Sequence, residues 1–429
     1  MTSETILWRA TGGEPIGAAP LRGRVVVDLA VIGGGFTGCA AALEAARMGA
    51  SVILLEAETI GHGGSGRNVG LVNAGLWLPP DEVIARLGEE AGARLVAELA
   101  AAPDRVFDLI AREGIDCEAR RAGTLHLAHA PSGLRDLKGR LAQGRWRGAP
   151  LVLLDAAETE RRTGTAAYQG ALFDPRAGTI QPLGYVRGLA RTAVRAGAAL
   201  HEGTPVRALD RLAEAWSLTT PEGEVRARSV LVATNAYHLG PLAAVRPEFV
   251  TVSYGQVATD PLPQRMRSRL LPGGEGCWDT ALVMSSFRMD ADGRLILGAI
   301  GDFSGPGRAI HQDWAARKMA ALFPDLAGMP FRYCWSGRIA MTSDHVPKIL
   351  GFGPSALACF GYSGRGIGPG TVFGTEAARA LLTGAADGLP LPMVTMHREK
   401  AAALRGTGVE AGACIAHLAG ARQGSTGGR

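Results

Sequence analysis

Gly33, Gly35 and Gly38 stand at the spacing G-x-G-x-x-G, and Glu56 follows eighteen residues after the last of them. Glycines so placed can hold a pyrophosphate: the first permits a tight turn, the second admits close approach of the phosphates, and the third lets a helix pack on the preceding strand. Phe36 and Thr37 would open that helix, whose positive end faces the phosphates, while Glu56 could accept hydrogen bonds from ribose hydroxyls. A merely flexible loop would explain the glycines but not the acid. A second polar group, Ser65-Gly66-Arg67-Asn68, lies among the six glycines of Ala57–Gly75. Ser65 and Asn68 offer hydrogen bonds there, and Arg67 a cation near a phosphate or a ring. A third glycine-rich turn, Gly361–Gly370, contains Gly364, Arg365, Gly366, Ile367 and Gly368 and leads into a helix from about Thr371. Such a helix start can stabilise negative charge developing on a bound ring.

These groups need a scaffold. Val25–Ile32 reads as a strand, Phe36 to about Met48 as an Ala-rich helix stopped by Gly49, and Ser51–Leu55 as a second strand. Residues 1–24 form an irregular lead-in that Trp8 could anchor. Asp81–Gly114 is helical in pattern, Gly123–Ala128 a strand with His126 and His129 at its surface, and Ser132–Trp146 a helix. Leu200–Leu209 is strand-like, with Val206 placed to offer backbone to an adenine. Ser229–Thr234 is a buried strand whose small end, Ala233-Thr234, suits main chain passing close to a ligand. Between Pro241 and Pro330 alternating segments broken by prolines suggest an antiparallel sheet. The chain after Gly406 reads as a loosely held tail.

Bulk properties narrow the classes. The chain has 429 residues, 60 of them glycine, and a formal charge of +5 with no basic block to suggest a nucleic-acid groove. Six cysteines form no C-x-x-C pair, which reads as free thiols in a reducing, cytoplasmic setting. No apolar run is long enough to span a membrane, and neither H-E-x-x-H nor another metal-ligand spacing is visible.

Taken in order, VIGGGFTG (Val31–Gly38), Glu56, SGRN (Ser65–Asn68), ATNAY (Ala233–Tyr237), WSGRIAMTSDHVP (Trp335–Pro347) and GYSGRGIGPG (Gly361–Gly370) resemble the D-amino-acid-oxidase-like FAD-dependent amine oxidoreductases. The glycine and sarcosine oxidases belong to that family, and the nearest likeness is to its gamma-glutamylputrescine oxidoreductase-like members. The resemblance covers roughly residues 5 to 385 and implies FAD as cofactor. It also implies an α/β fold, α+β overall, with a Rossmann-like, glutathione-reductase-type FAD-binding domain and an antiparallel-sheet substrate domain. The expected division assigns 1–80, 151–240 and 331–405 to the first domain and 81–150 and 241–330 to the second. Ala57, Gly337 and Arg338 join the expected cofactor contacts. His62 stands where relatives often have tryptophan. Matching the cysteine-linked sarcosine oxidases puts Gly337 near the flavin attachment point, with Cys334 three residues earlier, so non-covalent FAD is expected. Ile296 stands where sarcosine oxidases carry a lysine thought to assist oxygen, which leaves open a dehydrogenase with another electron acceptor.

The expected reaction is hydride transfer from the carbon beside an amine or amino-acid nitrogen to flavin N5, followed by hydrolysis of the imine. Tyr254, Gln256, Arg338, His345 and Tyr362 are the expected catalytic-site residues, with Trp335 and Arg365 close by and Arg338 the partner for any substrate carboxylate. Oxygen or another acceptor would take the electrons, and a homo-oligomer is compatible with this reading. An NAD-dependent dehydrogenase is the rival that the first motif alone would also fit, and an FAD-binding protein without turnover is a third reading.

Overall fold

A computed structural model of the chain describes residues 5–238, 242 and 244–419. Its strands form two eight-stranded sheets and one small two-stranded pair.

The first sheet grows from the apolar run at the start. Gly23–Ile32 is the central strand, flanked in parallel by Gly223–Val232 and by Val52–Leu55. Ala199–His201 extends it in parallel beyond Val52–Leu55, and Ala356–Phe360 beyond Gly223–Val232. Lys348–Gly353 closes that edge antiparallel. Strands buried on both faces read as continuous apolar sequence, and Leu29, Ala30, Val31 and Ile32 are all buried. Two helices cover one face: Phe36–Arg47 after the glycine motif, and Ile367–Thr383 after the third glycine-rich turn.

The second sheet runs Tyr333–Met341, Val250–Ala258, Leu295–Ile300, Ser285–Met289, Gly276–Asp279, Thr124–Leu127, Ala171–Asp174 and Val152–Leu154. It is antiparallel except where Gly276–Asp279 runs parallel to Thr124–Leu127. Sheet membership cuts across the expected division. Val152–Leu154, Ala171–Asp174 and Tyr333–Met341 were assigned to the cofactor domain, yet all three hydrogen-bond into the antiparallel sheet. Strand propensity marks a segment as strand but does not say which sheet receives it, so their partners could not be read locally.

Two further expectations change. The segment 406–419 is no loose tail but part of the helix Ala402–Ala419, with Ala413 and His417 buried; residues 420–429 lie outside the described residues. His126 is buried rather than at the surface, its ring stacked on Trp278 at 3.4 Å. The lead-in contains a short helix, Leu7–Thr11, and Trp8 does anchor it: fully buried, with its indole N–H donating to the Asn68 carbonyl at 2.8 Å. Burying a side chain of this size is worth about 3 kcal/mol. None of the described helices is long and apolar enough to cross a membrane.

Candidate cofactor and active site

Between the two sheets lies a cleft of about 510 Å³. One end is built from the first glycine motif. Gly33 adopts φ +107°, and a methyl group added there would come within 3.0 Å of the Ala233 carbonyl. At Gly38 the added carbon would lie 1.9 Å from the Gly33 oxygen, so only glycine lets the helix pack on its strand. Gly35 is the helix N-cap residue and offers no side-chain cap. Ser65 Oγ compensates by accepting from the Phe36 amide at 3.0 Å. Glu56 Oε2 accepts from the Gly34 amide at 2.6 Å and Oε1 from the Glu58 amide at 3.0 Å. Burial pushes the Glu56 carboxyl above its ordinary range, against the pull of those two amides. Ala57, Val206, Ala233 and Thr234 line the same end.

The SGRN turn forms the middle. Asn68 Nδ2 donates to the Gly64 and Ser65 carbonyls, while its Oδ1 accepts from Gly70. Arg67 reaches across to the antiparallel sheet, its Nε donating to the His62 carbonyl and its Nη1 to Ser336. Trp335 Nε1 and Gln256 Nε2 both donate to the Arg67 carbonyl. Gln256 is fully buried, and its Oε1 has no protein partner. A buried amide oxygen without a donor marks a place for a ligand N–H or a water. Gly337 lines the cleft, and a carbon added there would lie 3.1 Å from Arg67 Cβ, a tight fit.

The third turn closes the far end. Gly364, Arg365, Gly366 and Ile367 line the cleft, and Gly366 caps the helix Ile367–Thr383 without a side-chain bond. Two helix starts, neither with a side chain on its own N-cap residue, therefore serve one cleft. Tyr362 is buried, and its hydroxyl shares a hydrogen bond with Thr37 Oγ1 at 2.8 Å, tying the third turn to the first helix. Tyr254 lines the cleft with its hydroxyl bonded to Ser286 Oγ at 2.7 Å. Burial raises both phenols, so they remain protonated.

Not every expected residue arrives. Gly38, Gly66 and Gly368 sit behind the lining: a carbon added at Gly66 would be 2.2 Å from the Gly61 carbonyl, and one at Gly368 3.0 Å from Ala102 Cβ. His345 is not among the lining residues. It has φ +53° and packs edge-on against Trp77, which does line the cleft. A residue in a left-handed turn points where the turn directs it, and no sequence period reports that. Burial lowers the His345 imidazole, with Arg86 adding to the effect. Arg338 lines the cleft but is largely exposed, its guanidinium lying 4.3 Å from the centre of the Tyr237 ring.

Arg365 lines the cleft without an ion pair to any described carboxylate. Its Cζ sits 4.6 Å from the centre of Trp278, and its one protein hydrogen bond is to the Ala74 carbonyl at 3.4 Å. Burial, then Arg140, pulls it down to about 9, partly offset by Asp174. Trp278, Tyr237, Asn73 and Trp77 were not anticipated as site residues. Tyr237 closes the ATNAY segment and was within reach of the sequence; Trp278 lies in a four-residue strand with no signal of its own.

Glycine cradle, hydrogen-bonded acid, two glycine-led helix starts and an orphaned glutamine oxygen suit an extended dinucleotide. The chain belongs to the DAO family of FAD-dependent oxidoreductases, matching the family pattern over residues 28–380, and FAD is its cofactor. It is 32% identical over 342 residues to a probable oxidoreductase of Rhizobium meliloti, OrdL, covering 79% of each chain. Against gamma-glutamylputrescine oxidoreductase of Escherichia coli it is 29% identical over 348 residues, 80% of each. The crystal structure of glycine oxidase from Geobacillus kaustophilus shares the fold, with a TM-score of 0.70 at 23% identity over 87% of this chain and 100% of that one.

Proposed function

We propose that this oxidoreductase oxidises the carbon–nitrogen bond of an amine that also carries a carboxylate, an amino acid or a compound derived from one. The observation that carries the carboxylate is Arg365, a desolvated guanidinium on the cleft wall without an ion pair to any described carboxylate. Arg365 is half-buried; a cation drawn that far out of water is ordinarily paired, and a substrate carboxylate fits the planar guanidinium fork. The more exposed Arg338, already over Tyr237, is a poorer partner than the sequence suggested.

Bound FAD supplies the acceptor for the electron pair and hydrogen leaving the carbon beside nitrogen. The protein's part is to present that carbon with its nitrogen uncharged. Val252, Leu282, Met284 and Ile300 give the cleft an apolar wall, which favours the neutral amine over the ammonium. Tyr254 and Tyr362 remain neutral hydroxyls engaged with Ser286 and Thr37, so they orient and seal rather than take a proton. Loss of two electrons and two protons leaves an imine, which water converts to a carbonyl compound and an amine or ammonia. Non-covalent attachment is proposed, since Cys334 takes its contacts from Gln312 and Phe303.

A panel of amines and amino acids should bleach the flavin anaerobically, and compounds with a carboxylate should do so at the lowest concentrations. Arg365→Gln should raise KM for those compounds at least about tenfold, the loss of a charge-assisted pair. If nothing bleaches the flavin, the reaction class is wrong; if Arg338→Gln raises KM and Arg365→Gln does not, the carboxylate is misplaced. A second reading, transfer to an acceptor other than oxygen, is favoured by the fully buried apolar Ile296. Slow re-oxidation in air with fast re-oxidation by a dye would support it.

A further inference from the structure

Far along the chain, four residues with metal-binding side chains meet away from the cleft. Glu410, Cys414 and His417 share a face of the helix Ala402–Ala419, spaced four and three residues apart. His311, fully buried, faces them from the helix Arg308–Leu322. His311 Nε2 lies 2.9 Å from Glu410 Oε1 and 3.5 Å from Cys414 Sγ, and the sulfur lies 3.9 Å from the same carboxylate oxygen. Around a tetrahedral zinc ion with bonds near 2.0 Å to N and O and 2.3 Å to S, those edges would be roughly 3.3 to 3.6 Å. The three donors already describe one face of that tetrahedron.

We propose that His311, Glu410 and Cys414 bind one Zn²⁺, or a similar N/S-seeking divalent ion, leaving a fourth position for water.

The surroundings are those of a supported site. Glu410 is held before any ion arrives, since both its oxygens accept from the Asp302 amide at 3.1 and 3.0 Å. The other nitrogen of His311 lies 2.7 Å from His417 Nδ1. In that contact the His311 Nδ1–H can donate to His417 Nδ1. That leaves the lone pair of His311 Nε2 directed at the ion, the usual support for a ligating imidazole. His417 is also clamped by Trp314, stacked at 4.1 Å, and its remaining nitrogen is buried without a protein partner. Gly307 leaves the space: a carbon there would lie 2.9 Å from the sulfur and 3.0 Å from His311 Nε2. Cys414 and Glu410 are partly exposed, which gives an ion access from solvent. Binding replaces the thiol proton, released to water, with the metal–sulfur bond; thiolate and carboxylate then balance the ion's two charges. The site would staple the C-terminal helix to the substrate side, where Gly406 approaches Thr251 so closely that a methyl would sit 2.7 Å from its carbonyl. The strand Val250–Ala258 carries Tyr254 and Gln256.

The test uses the full-length, FAD-loaded protein, stripped with a chelator and dialysed against Zn²⁺. Elemental analysis should give about one zinc per chain, and X-ray absorption should show one sulfur near 2.3 Å among N/O ligands. Cys414→Ser and Glu410→Gln should each weaken zinc binding at least about tenfold, while Cys334→Ser should not. Bound zinc should also slow alkylation of Cys414. Substoichiometric zinc, a zinc site without sulfur, or unchanged affinity in Cys414→Ser would each overturn the proposal and leave a plain His311–Glu410 ion pair.

Discussion

Glu56 shows how much a single side chain must reconcile. It sits at the end of a buried strand, costs desolvation, and is steadied by two main-chain amides. Because its folded pKa lies above the ordinary 4.5, its contribution to the stability of the FAD-free protein is complete below that value. The contribution is lost as pH rises through the raised folded pKa. The difference in unfolding free energy between the wild type and Glu56→Gln should therefore shrink across that window and level off above it, measured by urea titration of the two apoproteins. A difference that does not change with pH would refute the burial argument. At this scale the sequence was most informative where chemistry and spacing coincide: Gly33, Gly35, Glu56, Ser65 and Asn68 all line the cleft. It was least informative for side chains whose direction depends on a turn or a distant strand, as His345, Arg338 and Trp278 demonstrate.

Among the elements, the pairing of the helices Phe36–Arg47 and Ile367–Thr383 is the most demanding. Gly374 faces the first turn of the cofactor helix, where an added carbon would meet the Thr37 carbonyl at 2.1 Å. Gly374→Ala gains about 1 kcal/mol of helix propensity, but the clash is with main chain, which cannot rotate away as a side chain can. Overpacking costs about 1–3 kcal/mol, so a net loss of up to about 2 kcal/mol and weaker FAD binding are expected by denaturation and flavin titration. Gly139→Ala, on an exposed helix with nothing within 4 Å, should instead stabilise. Equal effects of the two would show that the helix contact is not tight. The elements themselves were largely readable from apolar periodicity. Their partners were not: Tyr333–Met341 and Val152–Leu154 look alike whichever sheet receives them, and an Ala- and Gly-rich stretch hid the helix Ala402–Ala419.

For the whole molecule, the cleft draws its walls from both sheets, with the strands 250–258 and 333–341 facing the glycine turns. FAD at about a thousand times its dissociation constant should add about 4 kcal/mol to stability. The protection should not be confined to the parallel sheet. Hydrogen exchange should slow in Val250–Ala258 and Tyr333–Met341 as well as around Gly33–Gly38. Slowing limited to the glycine motif would mean that the antiparallel sheet does not close on the cofactor.

The central strand Gly23–Ile32 pairs with Gly223–Val232, which in turn pairs with Ala356–Phe360. On the ribosome this order has a price in time. One neighbour of this strand, Val52–Leu55, emerges soon after it, yet the other follows some two hundred residues later, and the strand leading into the third glycine-rich turn more than three hundred later. Contacts so distant in sequence form slowly. The nascent chain must therefore keep an apolar strand and a half-built nucleotide cradle waiting for a long stretch of translation, and the flavin can be captured in full only after the third glycine-rich turn has emerged.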